Sequence, residues 1–385
     1  MRWGELGWGL VLAGLPWSHL LARPHLDIWH GQTLWAQAGG LLVFTLALGQ
    51  PSQSLPANRP LAGFLLWVGS LTLWLWVTAI TLHHVYPLAM LQGIGHLTIL
   101  LFWYLSAMSL WTSAMLERFL RLLRWVGMSL LVYGGLQLLN LDQFFNPLDP
   151  GRPHDQLVGT VGNPSHFAAQ LAMLLPLYLW APTRWERWMT VPCLGLLAMT
   201  DSIGGQGAAV AVLGWWGWQQ FKGRRRWLVL GGMSLLGLLG IGWCVWAQPN
   251  GLNPYGRWQA WQEFYKLFVH QPITGFGSGY IMELSRVVND TNTPINHWRH
   301  VHNEYFQIAI EYGLIGLGLV GWMVIDLIRR TFCLHPSSLL LTCWGVLIAF
   351  GLNSLVNFPA HLWGVGFLAL IAYCGLQVLI REESA

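Results

Sequence analysis

Three histidines and an arginine lie within residues 297–302, directly before an apolar stretch that carries Gly313 and Gly316. The last of these histidines, His302, is followed by Asn303 where the hydrophilic segment enters a predicted membrane helix. Because an imidazole titrates near neutral pH, a histidine in this position is a candidate general base that faces a polar cleft. The alternative is a structural histidine that caps the helix, and the residues alone leave both interpretations open.

Arg257 begins an amphipathic segment with Trp258, Trp261 and Phe264 on or near one face. A guanidinium can bind phosphate oxygens through two parallel N–H bonds, which predicts a contact with a phosphate or diphosphate. The alternative is a surface arginine at the membrane interface. Downstream, residues 272–280 form a glycine-rich turn. Since it does not open a βαβ unit, it indicates close approach of the backbone to another helix or a ligand rather than a dinucleotide site.

The acidic residues give no sign of a metal centre. They are scattered and no Asp-x-Asp pair occurs, which favours a reaction without a metal or a cofactor. A zinc site made of His297, His300 and His302 is disfavoured, because this spacing does not place all three imidazoles on one helix face. Glu311 lies inside the helix that follows. An ionisable group is costly there unless it faces a polar cavity or a partner, so Glu311 is predicted to orient His302 or an arginine.

Asn163 and Pro164 open another apolar stretch. Asn163 suits the N-cap of a helix and Pro164 its first position, and this structural role alone explains both residues. A helix N-terminus also favours an anionic ligand, so the two roles can coexist.

The composition predicts an all-α, polytopic membrane protein. Of 385 residues, 54% are hydrophobic and 9% are charged, against roughly 25% charged in soluble domains. The net charge of +4 comes from short loops rather than one patch, which excludes nucleic acid as the expected partner. The 26 tryptophans are expected to anchor the chain at two membrane interfaces.

Apolar runs long enough for a bilayer helix predict about twelve spans in a single membrane domain, residues 1–385. They lie near 6–22, 32–49, 61–82, 86–110, 119–137, 164–181, 188–201, 205–221, 226–246, 306–328, 337–355 and 361–380. Two segments between spans stand out, a first one at 138–163 and the main loop at 247–305. Both are expected to fold over the outer face of the membrane part.

The basic residues predict the orientation. With a cytoplasmic N-terminus, fourteen Lys and Arg residues fall in cytoplasmic loops and six on the outer side. This asymmetry predicts that both termini are cytoplasmic and that the first span is retained. Most histidines then lie on the outer side, where the chemistry is expected.

Three motifs at residues 159–320 resemble the bacterial O-antigen ligase and polymerase superfamily, which also includes protein O-oligosaccharyltransferases. They are Gly162-Asn163-Pro164 at the start of a span, Gly256-Arg257 with the glycine-rich turn, and His302-Asn303 with nine residues before Gly313-x-x-Gly316. One motif departs from the family, whose members usually carry Ser-Arg in the turn before the predicted eighth span. This chain has Ser202-Ile203 there, and Arg152, Arg299 and Gln206 are the candidates to replace the missing arginine.

The resemblance implies metal-independent, inverting transfer of a glycan from a polyprenyl-diphosphate carrier to an acceptor hydroxyl, on the outer face of the bacterial inner membrane. Arg257 would hold the diphosphate, with Arg299 as a second clamp. His302 would take the proton from the acceptor hydroxyl, and Asn303 and Glu304 would orient it.

The resemblance leaves the acceptor open. An O-antigen ligase would use a lipid A–core glycolipid, a polymerase a lipid-linked glycan, and a protein O-oligosaccharyltransferase a protein hydroxyl. A small-anion transporter is the alternative of another class. The sequence has no inverted repeat and few charges within the predicted spans, which argues against transport.

Overall fold

The computed structural model describes residues 3–15, 37–40, 87–142, 157–200, 202–228, 231–232, 235, 256–287 and 298–384. In these ranges the secondary structure is helical without a β-strand, so the predicted all-α fold is confirmed. The helices are α1 (Trp3–Gly14), α2 (Pro87–Leu110), α3 (Ser113–Leu138), α4 (Pro164–Leu179), α5 (Arg184–Trp188), α6 (Thr190–Ala198), α7 (Ile203–Gln220), α8 (Arg257–His270), α9 (Tyr280–Val287), α10 (Glu304–Thr331), α11 (Ser338–Asn353) and α12 (Trp363–Glu383).

Three of the described helices, α3, α10 and α12, are long and apolar enough to cross a membrane. Helices α4, α7 and α11 also match predicted spans to within a few residues. These features make the chain a helical membrane protein. Most of the predicted spans at 32–49, 61–82 and 226–246 lies outside the described residues, and the total of about twelve stays a prediction.

Helix α11 packs against α4, α7 and α12, and α4 also packs against α6 and α7. Small residues allow these helices to approach closely. A Cβ added to Gly205 on α7 would overlap Ala168 on α4, and one added to Gly345 on α11 would crowd Pro176. The bundle therefore holds the ends of α4, α7 and α11 in fixed relative positions.

Several tryptophans pack in the protein core rather than at an interface. Trp8 on α1 lies 4.5 Å from Trp103 and 4.6 Å from Trp111, measured between ring centroids, and all three are almost fully buried. The indole N–H of Trp8 donates to Ser106 over 3.0 Å. The expectation that tryptophans serve as interface anchors is thus wrong for these rings, because aromatic burial stabilises the meeting point of α1, α2 and α12.

The glycine-rich turn packs on a break in α10. Gly313 has a φ of 66° in the middle of this helix, and a Cβ there would overlap the backbone of Ile273. The turn also donates backbone hydrogen bonds from Phe276 to Ile310, over 2.9 Å, and from Gly277 to the carbonyl of Glu311, over 2.8 Å. The expected close approach of the backbone to another helix is confirmed, and it positions the first turns of α10.

The N-terminal ends of α4, α7 and α10 meet the connection between α11 and α12. The Asn357 amide donates to the Ser165 carbonyl over 3.3 Å, and the Glu304 amide donates to the Ser354 carbonyl over 2.8 Å. A Cβ on Gly204, near the start of α7, would crowd Val356. Segments far apart in the sequence therefore form one polar region at this end of the bundle.

Candidate active site

His302 lies two residues before α10, in a left-handed backbone conformation with a φ of 55°. This conformation costs a non-glycine residue roughly 1–2 kcal/mol and is concentrated at functional sites. The imidazole contacts the rings of Trp298 and Phe358 edge-on, each with a centroid distance of 4.7 Å. A strained backbone thus holds the histidine between two aromatic rings, next to the N-terminus of α10.

Arg257 is the first residue of α8, and Gly256 before it has a φ of 76°, which suits glycine. Its guanidinium donates to the Val356 carbonyl over 2.8 Å. One turn later, the indole of Trp261 donates to the Val301 carbonyl over 2.7 Å. Helix α8 therefore joins the connection after α11 to the loop that carries His302.

Phe358 lies at the centre of three histidines from two segments, the loop before α10 and the start of α4. His300 stacks on its ring at 4.3 Å, while His302 and His166 contact it edge-on at 4.7 and 4.9 Å. His166 comes from the first turn of α4 and is almost fully buried. A single apolar ring thus brings the imidazole of His166 together with those of His300 and His302, more than 130 residues later in the chain.

A chain of polar contacts braces this cluster from the side of α12. The Glu304 carboxylate lies 3.1 Å from Nδ1 of His361 and accepts the Ala360 amide over 2.6 Å. The Gln307 side-chain nitrogen lies 3.3 Å from Nε2 of His361 and 3.4 Å from Nδ1 of His300. Glu304 and Gln307, from the first turns of α10, therefore link the 359–361 turn to the histidine loop.

The histidines of this cluster titrate differently. Burial, aided by the nearby charge of Arg257, lowers the pKa of His302 to about 3. Burial also lowers the pKa of His300 well below its usual value, with His361 adding to the effect. Burial opposes the charged form of His361 too, but the Glu304 carboxylate outweighs it and raises the pKa of His361 to about 9. At neutral pH, His302 is accordingly a neutral proton acceptor, and His361 is a cation paired with Glu304.

Three of the helix N-termini at this end carry a side-chain cap. Asn163 accepts backbone N–H groups of α4, Ser202 accepts that of Gly205 on α7, and Asn303 accepts that of Phe306 on α10. The cap predicted for Asn163 is confirmed. The positive ends of the three helix dipoles converge here, and such ends favour an anionic ligand.

The other predicted site residues have varied positions. Arg299 is exposed beside His300, and Gln206 donates to the Ala198 carbonyl over 3.3 Å. Glu304, expected to orient His302, instead binds His361. Glu311 accepts N–H groups of Gly279 and Ile281 and lies 3.4 Å from the Gln307 nitrogen. It thus braces the turn before α9 rather than His302.

Some predictions fall outside the described residues. Arg152, most of the first outer segment, His297 and parts of the main loop are among them. A role for Arg152 in place of the missing arginine stays a prediction, and so does the expectation that His297 takes no part in a zinc site.

The residues that sequence reasoning missed are His166, Gln307, Phe358 and His361. The first three read as ordinary parts of apolar helices or of their ends. A signal existed for His361, since Asn353, Ser354, Asn357 and His361 gather between two apolar helices. A polar group there, at the end where His302 was expected, could have suggested a shared site.

Residues 188–321 match the family model described as O-Antigen ligase. This match supports membership of the O-antigen ligase and polymerase superfamily, which the three motifs suggested. It also supports a general role in glycan transfer. A comparison with curated proteins found no match.

The O-antigen ligase match includes Arg257, His302 and the glycine turn with its partner Gly313. It ends before the connection between α11 and α12, and it begins after His166. Half of the ring cluster around Phe358 thus comes from parts of the chain beyond the matched range. The individual roles of the site residues stay predictions.

Proposed function

We propose that this protein transfers a glycan from a polyprenyl-diphosphate carrier to an acceptor hydroxyl, without a metal and with inversion at the anomeric carbon. The observation that carries the proposal is that His302 and Arg257 reach the same connection after α11, His302 at the ring of Phe358 and Arg257 at the carbonyl of Val356. A neutral imidazole lies in a strained loop within the electrostatic reach of a guanidinium. This combination supplies a proton acceptor and an anion-binding group in one site.

Arg257 is proposed to bind the diphosphate of the donor. Its hydrogen bond to the Val356 carbonyl orients the guanidinium. The N-terminal ends of α4 and α7 add positive potential around the same connection. Together these groups would stabilise the negative charge that develops on the diphosphate as it leaves.

His302 is proposed to act as the general base. The acceptor oxygen forms a bond to the anomeric carbon while the bond from that carbon to the diphosphate oxygen breaks. The acceptor proton passes to the imidazole, and the electron pair of the broken bond stays on the diphosphate. Attack opposite the leaving group inverts the anomeric centre. A positioned base of this kind typically contributes about 10²–10⁴-fold to the rate.

Donor binding should also strengthen the base. The charge of Arg257 contributes to the low pKa of His302. A bound diphosphate would offset that charge and favour the protonated imidazole. His302 is then a weak base without donor and a stronger one when the leaving group is in place.

The acceptor proposed first is a lipid A–core glycolipid, as in an O-antigen ligase. A growing lipid-linked glycan or a protein hydroxyl would need the same chemistry. We place the site on the outer face of the bacterial inner membrane with both termini cytoplasmic. The cluster at 222–226 and Arg329, Arg330 and Arg381 supports this, because these residues lie at helix ends remote from the histidines.

The test is glycan transfer by purified protein in lipid nanodiscs, with EDTA present. The donor is a polyprenyl-diphosphate oligosaccharide, and lipid A–core, unlabelled donor and acceptor peptide are offered separately. Release of polyprenyl diphosphate with glycan on lipid A–core is the expected result. Chain extension of the donor would indicate a polymerase. If folded protein releases no polyprenyl diphosphate with any acceptor, across a panel of donors, the proposal is wrong.

A further inference from the structure

A cleft of about 550 Å³ lies beside the histidine loop, between α8 and the start of α10. Its walls carry four aromatic rings, those of Trp258, Trp261, Tyr265 and Phe306. Gln262, Glu263 and Lys266 add polar groups along the same side of α8. The volume is within the range of about 300–1,000 Å³ that is typical of small-ligand sites.

The cleft is joined to the loop that carries His302. Trp261 donates to the carbonyl of Val301, the residue directly before His302, over 2.7 Å. Phe306 donates its backbone N–H to Asn303, the residue directly after His302, over 3.0 Å. Both walls are thus anchored within one residue of the proposed base, so the cleft borders the loop that carries it.

The Arg257 guanidinium reaches the Val356 carbonyl, in the connection after α11. Neither Arg257 nor Val356 lines the cleft. A donor held at Arg257 and an acceptor sugar held in the cleft would therefore occupy separate, neighbouring sites.

The chemistry of the cleft suits a saccharide better than a lipid chain. Sugar rings offer C–H faces to aromatic side chains and hydroxyls to polar ones. Trp258 and Tyr265 are 54% and 59% exposed, and the Lys266–Glu263 pair beside them has an N–O distance of 2.8 Å. By contrast, the exposed side of α10 presents Leu314, Ile315, Ile325 and Ile328, which suits lipid.

We infer that this cleft binds a sugar unit of the acceptor glycan and presents its hydroxyl to His302. The inference rests on the proposed function for the role of the acceptor, while the binding itself does not depend on catalysis. The rings are preorganised, because Trp261 is hydrogen-bonded to Val301 and the ring of Trp258 packs edge-on against that of Trp261 at 5.2 Å. Preorganised aromatic walls reduce the entropy that a bound sugar ring must lose.

The experiment measures binding of lipid-free oligosaccharides to the protein in nanodiscs by isothermal titration. The probes are the core oligosaccharide of lipopolysaccharide and a single O-antigen repeat with a free reducing end. Trp258→Ala and Tyr265→Ala are expected to weaken binding about three- to tenfold each. Neither residue is buried, so both variants should fold.

Trp125→Ala is the matched control. Trp125 is 53% exposed and packs against Trp185 at 5.2 Å, as Trp258 does against Trp261, but it lies on α3 away from the histidines. This variant should bind the probe as the wild type does. Equal binding by the wild type and the two cleft variants would overturn the inference, and so would a wild type that binds neither probe.

Two further measurements separate this inference from the proposed function. Binding is repeated with His302→Ala, which should retain it whether or not His302 is the base. In the transfer assay, cleft variants should raise the KM for acceptor and leave the KM for donor unchanged. A rise confined to the donor KM would overturn the assignment to the acceptor. If His302→Ala still transferred glycan while the cleft variants lost binding, the base would be wrong and the cleft would stand.

Discussion

Arg124 and Arg257 lie near opposite ends of α4, and the groups that surround them differ. Arg124 lies 2.8 Å from the Glu186 carboxylate, and both side chains are only 5% exposed. Glu186 also completes a capping box with Thr183 at the start of α5. The hydroxyl of Tyr178, near the end of α4, donates to the Arg124 carbonyl over 3.1 Å. At this end the charge of the arginine is matched by a carboxylate within the protein.

At the other end, Arg257 donates to a carbonyl and its charge acts on His302. The neighbouring backbone is strained at His302, and burial keeps His300 and His302 neutral. An arrangement that raises the energy of the protein itself is expected where a ligand provides the compensation. A buried arginine therefore does not by itself indicate a ligand site. A strained, desolvated histidine beside the arginine does indicate one.

The largest effect should follow from His302→Gly. Glycine accepts the left-handed backbone, and this gain offsets much of the stability lost with the Trp298 and Phe358 ring contacts, so the variant should fold and lose no more than about 1–2 kcal/mol. Transfer should fall by about 10²–10⁴-fold, because the base is gone. Thermal unfolding and the nanodisc transfer assay measure the two quantities. Near-normal transfer by a folded variant would contradict the assignment and leave His302 with a structural role.

Arg124→Ala should show the opposite pattern, a loss of stability with little change in turnover. It leaves the Glu186 carboxylate buried without its partner, which typically costs about 3–5 kcal/mol. Stability in detergent should fall accordingly, while kcat/KM per folded molecule stays near the wild-type value. The double variant Arg124→Met with Glu186→Leu should recover much of the loss, since it leaves no buried charge. A loss of turnover without a loss of stability would contradict the purely structural role of Arg124.

Arg257→Lys should lower kcat/KM about 10- to 100-fold. Lysine retains the charge but loses the planar fork that can bind two phosphate oxygens, and charge-assisted hydrogen bonds contribute about 1.5–3 kcal/mol. Arg124→Lys is the matched control and should affect stability rather than turnover. Unchanged turnover and donor affinity in Arg257→Lys would indicate that this arginine only packs α8 against Val356.

The local parts of the site could be predicted from the sequence. His302, Arg257 and the cap at Asn163 belong to short motifs whose physical logic is contained within a few residues. The glycine-rich turn could also be predicted, because its glycines must allow close approach of the backbone. The partner of that turn, Gly313, and the break that it makes in α10 depend on contacts between segments.

The rest of the site depends on contacts between segments far apart in the chain. Arg257 and Val356 are 99 residues apart, and Gln307 and His361 are 54 apart. Phe358 has the sequence character of a core residue, so nothing local shows that three imidazoles surround it. The same applies to the turn with the missing arginine. Gly204 lies against Val356, so that turn adjoins the carbonyl to which Arg257 donates.

The smallest predicted effect concerns the Glu304–His361 pair, which braces the site end. The pKa of His361 is about 9, above its usual value of 6.5, so the pair contributes stability that is fully present below about pH 6.5 and is lost as the pH rises through 9. Because the His361 side chain is 34% exposed, solvent screening should limit this contribution to about 1 kcal/mol. Glu304→Gln removes the charge that raises the pKa. Its unfolding midpoint, measured from pH 6 to 10, should therefore change less with pH than that of the wild type.

Asp326→Gln, in an i,i+4 pair with Arg330 on the same helix, serves as the control and should leave the wild-type pH dependence in this range intact. Parallel curves for the wild type and Glu304→Gln would show that His361 is not held as a cation, and the brace would then rest on Gln307 and on the Ala360–Glu304 hydrogen bond.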